Sequence, residues 1–258
     1  MPYLEKDTSS DACPLCHGAE WLFNREDNVA YPCKCQEQAI INRRLKFGNI
    51  PPMLKQANLD NFDIDYYKGD KSKQLILIAL QEINVWLEEK EQFFDKGIGL
   101  YLYSNTKGSG KTRMSASIAN YLMLEKQISV KFATTLQIIQ EIKNTWDQDS
   151  GSESRLLDAL ATVKVLIIDD LGVEMTGSKK TWIEDKFYHV INERSLRQLP
   201  TIYTSNLPIE QLPYQDRITS RIDGNSIKVL FPEESVRKAK SNEVQTQMIE
   251  ELKNRRKL

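Results

Sequence analysis

The sequence predicts an α/β protein with a doubly wound parallel sheet and a small N-terminal metal-binding module. Between about residues 61 and 232, short apolar segments alternate with amphipathic ones, which is typical of βαβ units. All four cysteines lie within the first 35 residues, outside that region. We therefore divide the chain into residues 1–60, residues 61–232 and a charged, helical C-terminal tail, residues 233–258.

The composition excludes several classes of protein. The 258 residues include 35 basic and 36 acidic ones, a formal net charge of −1, so no overall basic field indicates a nucleic-acid-binding protein. No stretch approaches the roughly 20 apolar residues of a membrane span, and the first residues lack the pattern of a secretory signal. We expect a cytoplasmic protein with no membrane partner.

The cysteines Cys13, Cys16, Cys33 and Cys35 form two closely spaced pairs. A reducing compartment disfavours disulfides, and four thiolates on two tight turns suit a tetrahedral structural Zn²⁺ ion. His17 is an alternative ligand in place of one cysteine. A closed site leaves no position for a substrate, so the predicted role of zinc is to fold a segment too small to have its own core.

Residues 61–232 contain five predicted strands and the helices between them. A basic helical stretch, residues 39–49, and a pair of prolines lie between the cysteines and this region. In residues 72–90, Ile76, Leu80, Ile83 and Leu87 have helical spacing. The predicted strands are GLYLYS (99–104), SVKFAT (129–134), VKVLIID (163–169), PTIYTSN (200–206) and SIKVLF (226–231). Further helices are predicted over residues 111–124, 136–146 and 181–196, and a polar loop over residues 147–154.

A candidate phosphate-binding loop, SNTKGSGKT (residues 104–112), follows the first predicted strand and leads into a helix that begins near Lys111. The backbone N–H groups of such a turn and the helix N-terminus bind phosphate. Lys111 is predicted to reach the β and γ phosphates of ATP, and the Thr112 hydroxyl to bind Mg²⁺. Asn105 stands where the pattern usually has its first glycine, and we expect it to adopt a left-handed conformation, which Asn tolerates. The predicted nucleotide contacts are Asn105, Thr106, Lys107, Gly108, Ser109, Gly110, Lys111, Thr112 and Arg113.

Two later segments support a nucleotide site. VKVLIIDDLG (residues 163–172) is an apolar strand that ends in two carboxylates. Asp169 is predicted to bind Mg²⁺ and Asp170 to activate the attacking water. PTIYTSN ends in Asn206, which would face the γ-phosphate and orient the water if this strand lies between the other two. Each segment alone is also consistent with an ordinary loop, but the ordered set favours a site that hydrolyses ATP.

With these segments the sequence resembles the P-loop AAA+ ATPases, and within them the bacterial and phage helicase loaders of the DnaC and DnaI type, over about residues 50–240. SNTKGSGKT looks like their Walker A motif, VLIIDDLG like Walker B and YTSN like sensor 1. The resemblance implies an ATPase that delivers a hexameric replicative helicase to single-stranded DNA. The sequence departs from the family at Asn105, usually glycine, and at Asp170, which is glutamate in many AAA+ members.

The resemblance also gives roles to three arginines. YQDRITSRIDGN (residues 214–225) is similar to the box VII region, which implies that Arg221 is an arginine finger offered to the ATP of a neighbouring subunit, with Arg217 on the same helical face. Arg237 resembles the arginine that closes over the nucleotide from the C-terminal side. These roles imply self-association; a surface arginine pair and a solvated tail are the alternatives.

The resemblance further implies that residues 1–60 bind the helicase, and a module that only stabilises the ATPase domain is the alternative. Sequence support for single-stranded DNA is limited to Lys179 and Lys180, in the loop after VLIIDDLG, and to seven basic against three acidic residues from Arg237 onward. Two other functions stay open. One is a transposition-helper ATPase resembling IstB, whose family generally starts with a helical segment instead of a zinc module. The other is a nucleotide-binding interaction protein with weak hydrolysis.

Overall fold

The computed structural model describes residues 13–24, 28–36, 39–40, 48–146, 151–172 and 180–255, which form an antiparallel hairpin and a five-stranded parallel sheet with helices on both faces. The hairpin consists of β1 (Trp21–Asn24) and β2 (Val29–Pro32). The strands of the sheet are β3 (Gly99–Tyr103), β4 (Val130–Thr134), β5 (Val165–Leu171), β6 (Thr201–Ser205) and β7 (Ser226–Leu230). The helices are α1 (Asp70–Glu88), α2 (Lys90–Asp95), α3 (Lys111–Leu124), α4 (Thr135–Asn144), α5 (Ser152–Thr162), α6 (Lys180–Leu196), α7 (Asp216–Gly224) and α8 (Val236–Arg255). The predicted fold class is confirmed.

The strands of the sheet are ordered β4-β5-β6-β3-β7, and every neighbouring pair is parallel. β6 therefore lies between β3 and β5, the position that the sequence analysis required for its polar C-terminal residues. The carboxyl ends of these three strands meet at one edge, which is where open α/β sheets bind their ligands.

The three inner strands, β3, β5 and β6, bury side chains on both faces of the sheet. In β5, Val165 and Ile167 belong to the core formed with α1 and α3, whereas Leu166 and Ile168 belong to the core formed with α4 to α7. A strand covered on both faces is apolar throughout, which explains the uninterrupted VKVLIID pattern.

Three features were not predicted: the short helix α2, the helix α5 and the hairpin. α5 begins at Ser152, within the stretch predicted as a loop, of which residues 147–150 lie outside the described part of the chain. Its start has the composition of a loop, but Leu157 and Leu160 pack in the core beside α6, and such packing stabilises a short helix. The hairpin has no buried residue in either strand, so it lacks the alternating pattern that identifies strands in a sequence.

The segment before α1 packs on the sheet domain. Ile50 and Ala57 belong to the same core as α1 and α3, and Nδ2 of Asn120, in α3, donates to the carbonyl oxygens of Leu54, Lys55 and Ala57 at 3.1, 3.3 and 2.7 Å. The division of the chain at residues 60 and 232 stays a prediction. Most of the predicted basic helical stretch, residues 41–47, is outside the described residues. No described helix is long and apolar enough to cross a membrane.

A buried arginine joins elements at the edge of the sheet opposite the carboxyl ends. Arg194 is 1% exposed and donates to Thr201 Oγ1 and to the carbonyl oxygens of Leu160, Val163 and Pro200 at 2.7–2.9 Å. Burial lowers the pKa of Arg194 to about 10, so the guanidinium stays charged at neutral pH. Four neutral oxygens thus solvate this cation and join α5, α6 and β6.

Candidate nucleotide-binding site and cysteine cluster

An open cleft of about 420 Å³ lies at the carboxyl edge of the sheet, where the segments after β3, β5 and β6 meet. The lining residues are Met53, Leu54, Lys107, Gly108, Ser109, Gly110, Lys111, Thr112, Arg113, Asp170, Asn206, Val236, Arg237 and Lys240. The structure thus brings residues of all three motif segments, and the predicted Arg237 beside them, to one place. Their individual roles stay predictions.

The phosphate loop, residues 104–110, makes its left-handed turns at two glycines and not at Asn105. Gly108 and Gly110 have φ of +80° and +101°, whereas Asn105 is outside the positive-φ region. The expectation of a left-handed Asn105 is therefore wrong, because this turn does not require a glycine at that position. The backbone N–H of Asn105 donates instead to the carboxylate of Glu233 at 2.8 Å.

Neighbouring groups leave no room for a side chain at the two glycines. A Cβ at Gly108 would lie 2.9 Å from the Cβ of Arg237, and one at Gly110 would lie 2.8 Å from the hydroxyl oxygen of Tyr67. Tyr67 is fully buried and donates its hydroxyl to the carbonyl of Ser109 at 2.7 Å. The loop therefore needs glycine at both positions.

The loop offers free donors to an anion. Within the described residues, the backbone N–H groups of residues 107–112 donate to no backbone carbonyl, and they stand at the N-terminus of α3. Free N–H groups at the start of a helix, together with the helix dipole, suit a phosphate group. The residues present therefore fit a nucleotide.

The Lys111 side chain is held inside the loop. It is buried, and its Nζ donates to the carbonyl oxygens of Ser104 and Thr106 and to Oγ of Ser109 at 3.1–3.2 Å. Burial lowers the pKa of Lys111 to about 8, while nearby carboxylates, Asp170 first, oppose this effect. The ammonium thus occupies the centre of the loop with only weak neutral partners.

The two carboxylates near the end of β5 differ in burial. Asp169 is buried, and its Oδ1 accepts a hydrogen bond from Thr204 Oγ1 at 2.6 Å, whereas Asp170 is partly exposed and lines the cleft. Burial raises the pKa of Asp169 to about 6, against hydrogen bonds from Thr204 and Thr112. Thr112 and Asp169, the predicted Mg²⁺ ligands, are therefore neighbours and supply the oxygen atoms that this ion prefers.

A bulge in β5 places Asp170 at the cleft. The pairing of β5 with β6 shifts register between Ile168 and Leu171, and Asp170 has φ of +55°. Its N–H donates to Thr204 Oγ1 at 3.0 Å, and its carbonyl accepts from Thr135 Oγ1 at 3.0 Å. The sequence analysis missed Thr204, whose single hydroxyl contacts both acidic residues.

The remaining predicted nucleotide contacts divide into two groups. Lys107, Arg113 and Arg237 line the cleft, whereas Asn105 and Thr106 do not. Asn105 and Thr106 instead donate hydrogen bonds to the carboxylate of Glu233.

The two arginines predicted to act on a neighbouring subunit lie on a face formed by α6 and α7. Arg217 donates to Asp185 Oδ1 and Arg221 to Asn192 Oδ1, each at 2.9 Å. Both guanidinium groups lie over the ring of Tyr188, at 4.5 and 5.0 Å from its centre. They share one helical face, and neither lines the cleft of its own chain.

The four cysteines form a cluster that could hold a zinc ion. All four Sγ atoms lie within 4.8 Å of one another, with Cys16 and Cys35 at 3.3 Å and Cys13 and Cys33 at 3.8 Å, and no disulfide joins them. A tetrahedral ion with Zn–S distances of about 2.3 Å needs sulfurs about 3.8 Å apart. The backbone N–H of Cys16 lowers the pKa of Cys13, which favours the thiolate. Among the described residues the cluster does not include His17.

The lysines predicted to contact DNA lie at the limit of the described structure. Lys179 is outside the described residues, and Lys180 is the first residue of α6. Next to Lys180, Trp182 meets the half-exposed Trp146 edge to face, with 5.3 Å between ring centres. An aromatic pair therefore lies beside the predicted basic loop.

Comparisons with known proteins agree with this geometry. The family model described as IstB-like ATP binding protein matches residues 36–243. The chain is 27% identical over 200 residues to the replicative helicase loader DnaC of Escherichia coli strain K12, with 76% of each protein covered. It is 30% identical over 202 residues to DnaC of Buchnera aphidicola subsp. Baizongia pistaciae, covering 77% of this chain and 76% of the relative. The crystal structure of DnaI matches with a TM-score of 0.57 and 28% identity, over 71% of this chain and 95% of the other.

Proposed function

The chain belongs to the family of IstB-like ATP binding proteins, and from this premise we propose that it hydrolyses ATP and delivers a hexameric replicative DNA helicase to single-stranded DNA. The main structural support is the meeting of the segments after β3, β5 and β6 in one cleft. Similarity over 76% of the chain to a replicative helicase loader favours this task over others in the family.

We assign phosphate binding to the loop and to Lys111. The free N–H groups of residues 107–112 and the Nζ of Lys111 place partial and full positive charge at one point, where the β and γ phosphates of ATP would lie. The present partners of the Lys111 ammonium are neutral oxygens, so a charged phosphate oxygen would be a stronger partner than any of them. Arg237, which lines the cleft from α8, adds a second cation.

Hydrolysis also requires an ion and an oriented water molecule. Thr112 and Asp169 supply oxygen ligands for Mg²⁺, which when bound neutralises charge on the phosphates. Asp170 lies at the cleft surface, where it accepts the proton of the attacking water. Asn206, at the end of the adjacent strand, orients that water.

Arg221 completes the site of a second copy. Arg217 and Arg221 lie on the α6–α7 face and do not line their own cleft, which supports a role at a nucleotide bound to another subunit. An arginine supplied in this way stabilises the negative charge of phosphoryl transfer, so that hydrolysis depends on assembly.

Mixing two inactive variants tests this assignment. Lys111→Ala subunits retain Arg221, and Arg221→Ala subunits retain an intact phosphate loop. The mixture should therefore recover ATPase activity that neither variant has alone. A mixture as inactive as its components would refute the role in trans.

We assign helicase binding to the zinc module within residues 1–60. Its hairpin exposes the aromatic side chains Trp21, Phe23 and Tyr31, and exposed aromatic residues are common at protein interfaces. Zinc in the four-cysteine cluster would fix the hairpin. Replacing Trp21 and Phe23 by serine in the full chain should abolish helicase binding and leave ATP binding intact, whereas serine at the exposed Leu196 on α6 serves as the control.

We assign contact with single-stranded DNA to the region of Lys179 and Lys180. The half-exposed Trp146, which contacts the partly buried Trp182, supports this position, because exposed aromatic rings stack with bases and lysines attract phosphates. Affinity for an oligonucleotide should fall with salt and should fall further in Lys179→Ala with Lys180→Ala. Salt-independent binding, or no effect of this double substitution, would remove DNA contact from the proposal.

The decisive experiment is a pull-down of the replicative helicase from the same cells, with and without ATP, beside measurements of ATP turnover. The wild-type protein should retain the helicase and hydrolyse ATP, and Lys111→Ala should have no ATPase activity. Undiminished turnover in Lys111→Ala would refute the assigned site. ATP binding without turnover, even with helicase and DNA present, would instead support a nucleotide-binding interaction protein.

The description of the family model supports a second candidate, a helper ATPase that directs a transposase to DNA. The same pull-down separates the two functions. Recovery of a transposase in place of the helicase would favour the helper.

A further inference from the structure

The segment between β7 and α8 is hydrogen-bonded to the phosphate loop along its length. In chain order, the contacts are Phe231 N to Tyr103 O at 2.7 Å, Ser104 Oγ to Pro232 O at 3.0 Å, and Arg237 N to Gly108 O at 3.2 Å. Glu233 lies in the middle of this segment, opposite the first turn of the loop.

The Glu233 carboxylate holds two consecutive residues of the loop. One oxygen accepts the backbone N–H of Asn105 at 2.8 Å, and the other accepts the hydroxyl of Thr106 at 2.7 Å. Hydrogen bonds to an ionised carboxylate are stronger than those between neutral groups. Glu233 therefore fixes the peptide group between Ser104 and Asn105 and the side chain of Thr106.

The same two groups contact Lys111 at their other ends. The peptide unit that joins Ser104 to Asn105 is planar, and its N–H is bonded to Glu233 while its C=O accepts from Lys111 Nζ at 3.2 Å. Thr106 bonds to Glu233 through its side chain and to Lys111 Nζ through its carbonyl, at 3.1 Å. Two parallel paths thus join the carboxylate to the ammonium.

From this arrangement we propose that Glu233 is a positioning residue for Lys111, orienting the two carbonyl groups that hold its ammonium at the centre of the phosphate loop. The inference rests on the ATP site proposed above and adds to it a residue from outside the motif segments. Glu233 contacts Asn105 through the backbone N–H, so this part of the arrangement does not depend on the Asn105 side chain.

The negative charge of Glu233 does not by itself favour nucleotide binding. A carboxylate near a triphosphate is unfavourable by Coulomb repulsion alone. The useful contribution of Glu233 is therefore its hydrogen bonds to the loop.

The next residue provides a matched control. Glu234 accepts the backbone N–H groups of Lys68 and Gly69, at 2.8 and 3.4 Å, at the start of α1. It has the same side chain and an adjacent position, and its hydrogen bonds go to α1 and not to the loop. Loss of Glu234 removes comparable interactions without disturbing the path to Lys111.

The experiment measures the Kd of a fluorescent ATP analogue for the full-length protein. Glu233→Ala should weaken binding about tenfold, since two charge-assisted hydrogen bonds are lost. Glu233→Gln should stay within about threefold of wild type, because its carbonyl oxygen still accepts the N–H of Asn105. Thr106→Val should weaken binding by an intermediate amount, because it removes one of the two paths. Adding it to Glu233→Ala should have little further effect, since the loss of Glu233 already removes the path through Thr106. Glu234→Ala should bind as wild type does.

Several results would overturn the inference. These are wild-type affinity in Glu233→Ala, an equal loss in Glu234→Ala, no rescue by Glu233→Gln, or full additivity of the Glu233 and Thr106 substitutions. If Glu233→Ala does not fold, Thr106→Val decides the question, and unchanged affinity in that variant contradicts the inference. A wild-type protein that does not bind the analogue would refute the proposed ATP site itself, a separate outcome from a failure of Glu233→Ala to matter.

Discussion

Replacing Thr204 by valine tests how the two acidic residues near the end of β5 are held. Thr204 is fully buried in β6, where its hydroxyl donates to Asp169 Oδ1 at 2.6 Å and accepts the N–H of Asp170 at 3.0 Å. Valine has nearly the same shape, so the substitution removes both hydrogen bonds and leaves the packing intact. It also leaves a buried carboxylate and a backbone N–H without these partners.

The expected loss of stability in Thr204→Val follows from the two hydrogen bonds that are removed. A hydrogen bond to a charged group contributes about 1.5–3 kcal/mol and one between neutral groups about 0.5–1.5 kcal/mol. Thr204→Val should therefore lower the free energy of unfolding by about 2–4 kcal/mol. ATPase activity should fall as well, because Asp170 has a positive φ that this N–H contact helps to maintain.

Urea denaturation of the nucleotide-free protein at neutral pH measures the effect through linear extrapolation. Thr162→Val is the matched control, since Thr162 is an exposed threonine at the end of α5 whose hydroxyl contacts only the Asp158 carbonyl. Its unfolding free energy should stay within about 0.5 kcal/mol of wild type. A loss below about 1 kcal/mol in Thr204→Val, or one no larger than in the control, would refute the reasoning.

The other predictions concern separate parts of the molecule. Arg194→Lys should lower the unfolding free energy by about 2–4 kcal/mol in urea, because an ammonium cannot reach four diverging oxygens; a change within about 0.5 kcal/mol would contradict this. Tyr67→Phe should lower it by about 1 kcal/mol and weaken ATP binding, since the hydroxyl bonded to Ser109 is lost; unchanged affinity would argue against this support of the loop. Asn105→Gly should keep the Kd for ATP within about threefold, because its N–H still reaches Glu233; a larger change would show that the Asn side chain contributes. A chelator should release zinc, measured with a metal-sensitive dye, and expose the hairpin to protease; equal digestion with and without the chelator would exclude a structural ion.

The strand order around the site entered the sequence reasoning only as a condition. Asn206 could face the γ-phosphate and orient the water if its strand lies between the strands that end in the other two motif segments. β6 occupies that position. The buried strands could be predicted directly, because a strand covered on both faces of the sheet has an uninterrupted apolar sequence.

Contacts between distant segments could not be predicted. Tyr67 and Glu233 belong to no motif, and Thr204 lies within YTSN without a predicted role of its own. Each meets its partners only after the chain has folded, across 42 residues for Tyr67, 35 for Thr204 and 128 for Glu233. The conformation of Asn105 was predicted wrongly for the same reason. A local pattern suggested a glycine-like turn, whereas a distant carboxylate determines where the N–H of Asn105 points.

These distant contacts have a functional consequence, because they join the phosphate loop to both flanking parts of the chain. Tyr67 connects the loop to the segment that follows the zinc module, and Glu233 connects it to the start of α8. If phosphate draws Lys111 away from the carbonyl groups of Ser104 and Thr106, the groups bonded to Glu233 are the first to respond. We therefore expect nucleotide binding to alter hydrogen exchange at residues 231–237 as well as in the loop itself. A change in hydrogen exchange confined to the cleft would show that residues 231–237 contact the loop but are not affected when the nucleotide binds.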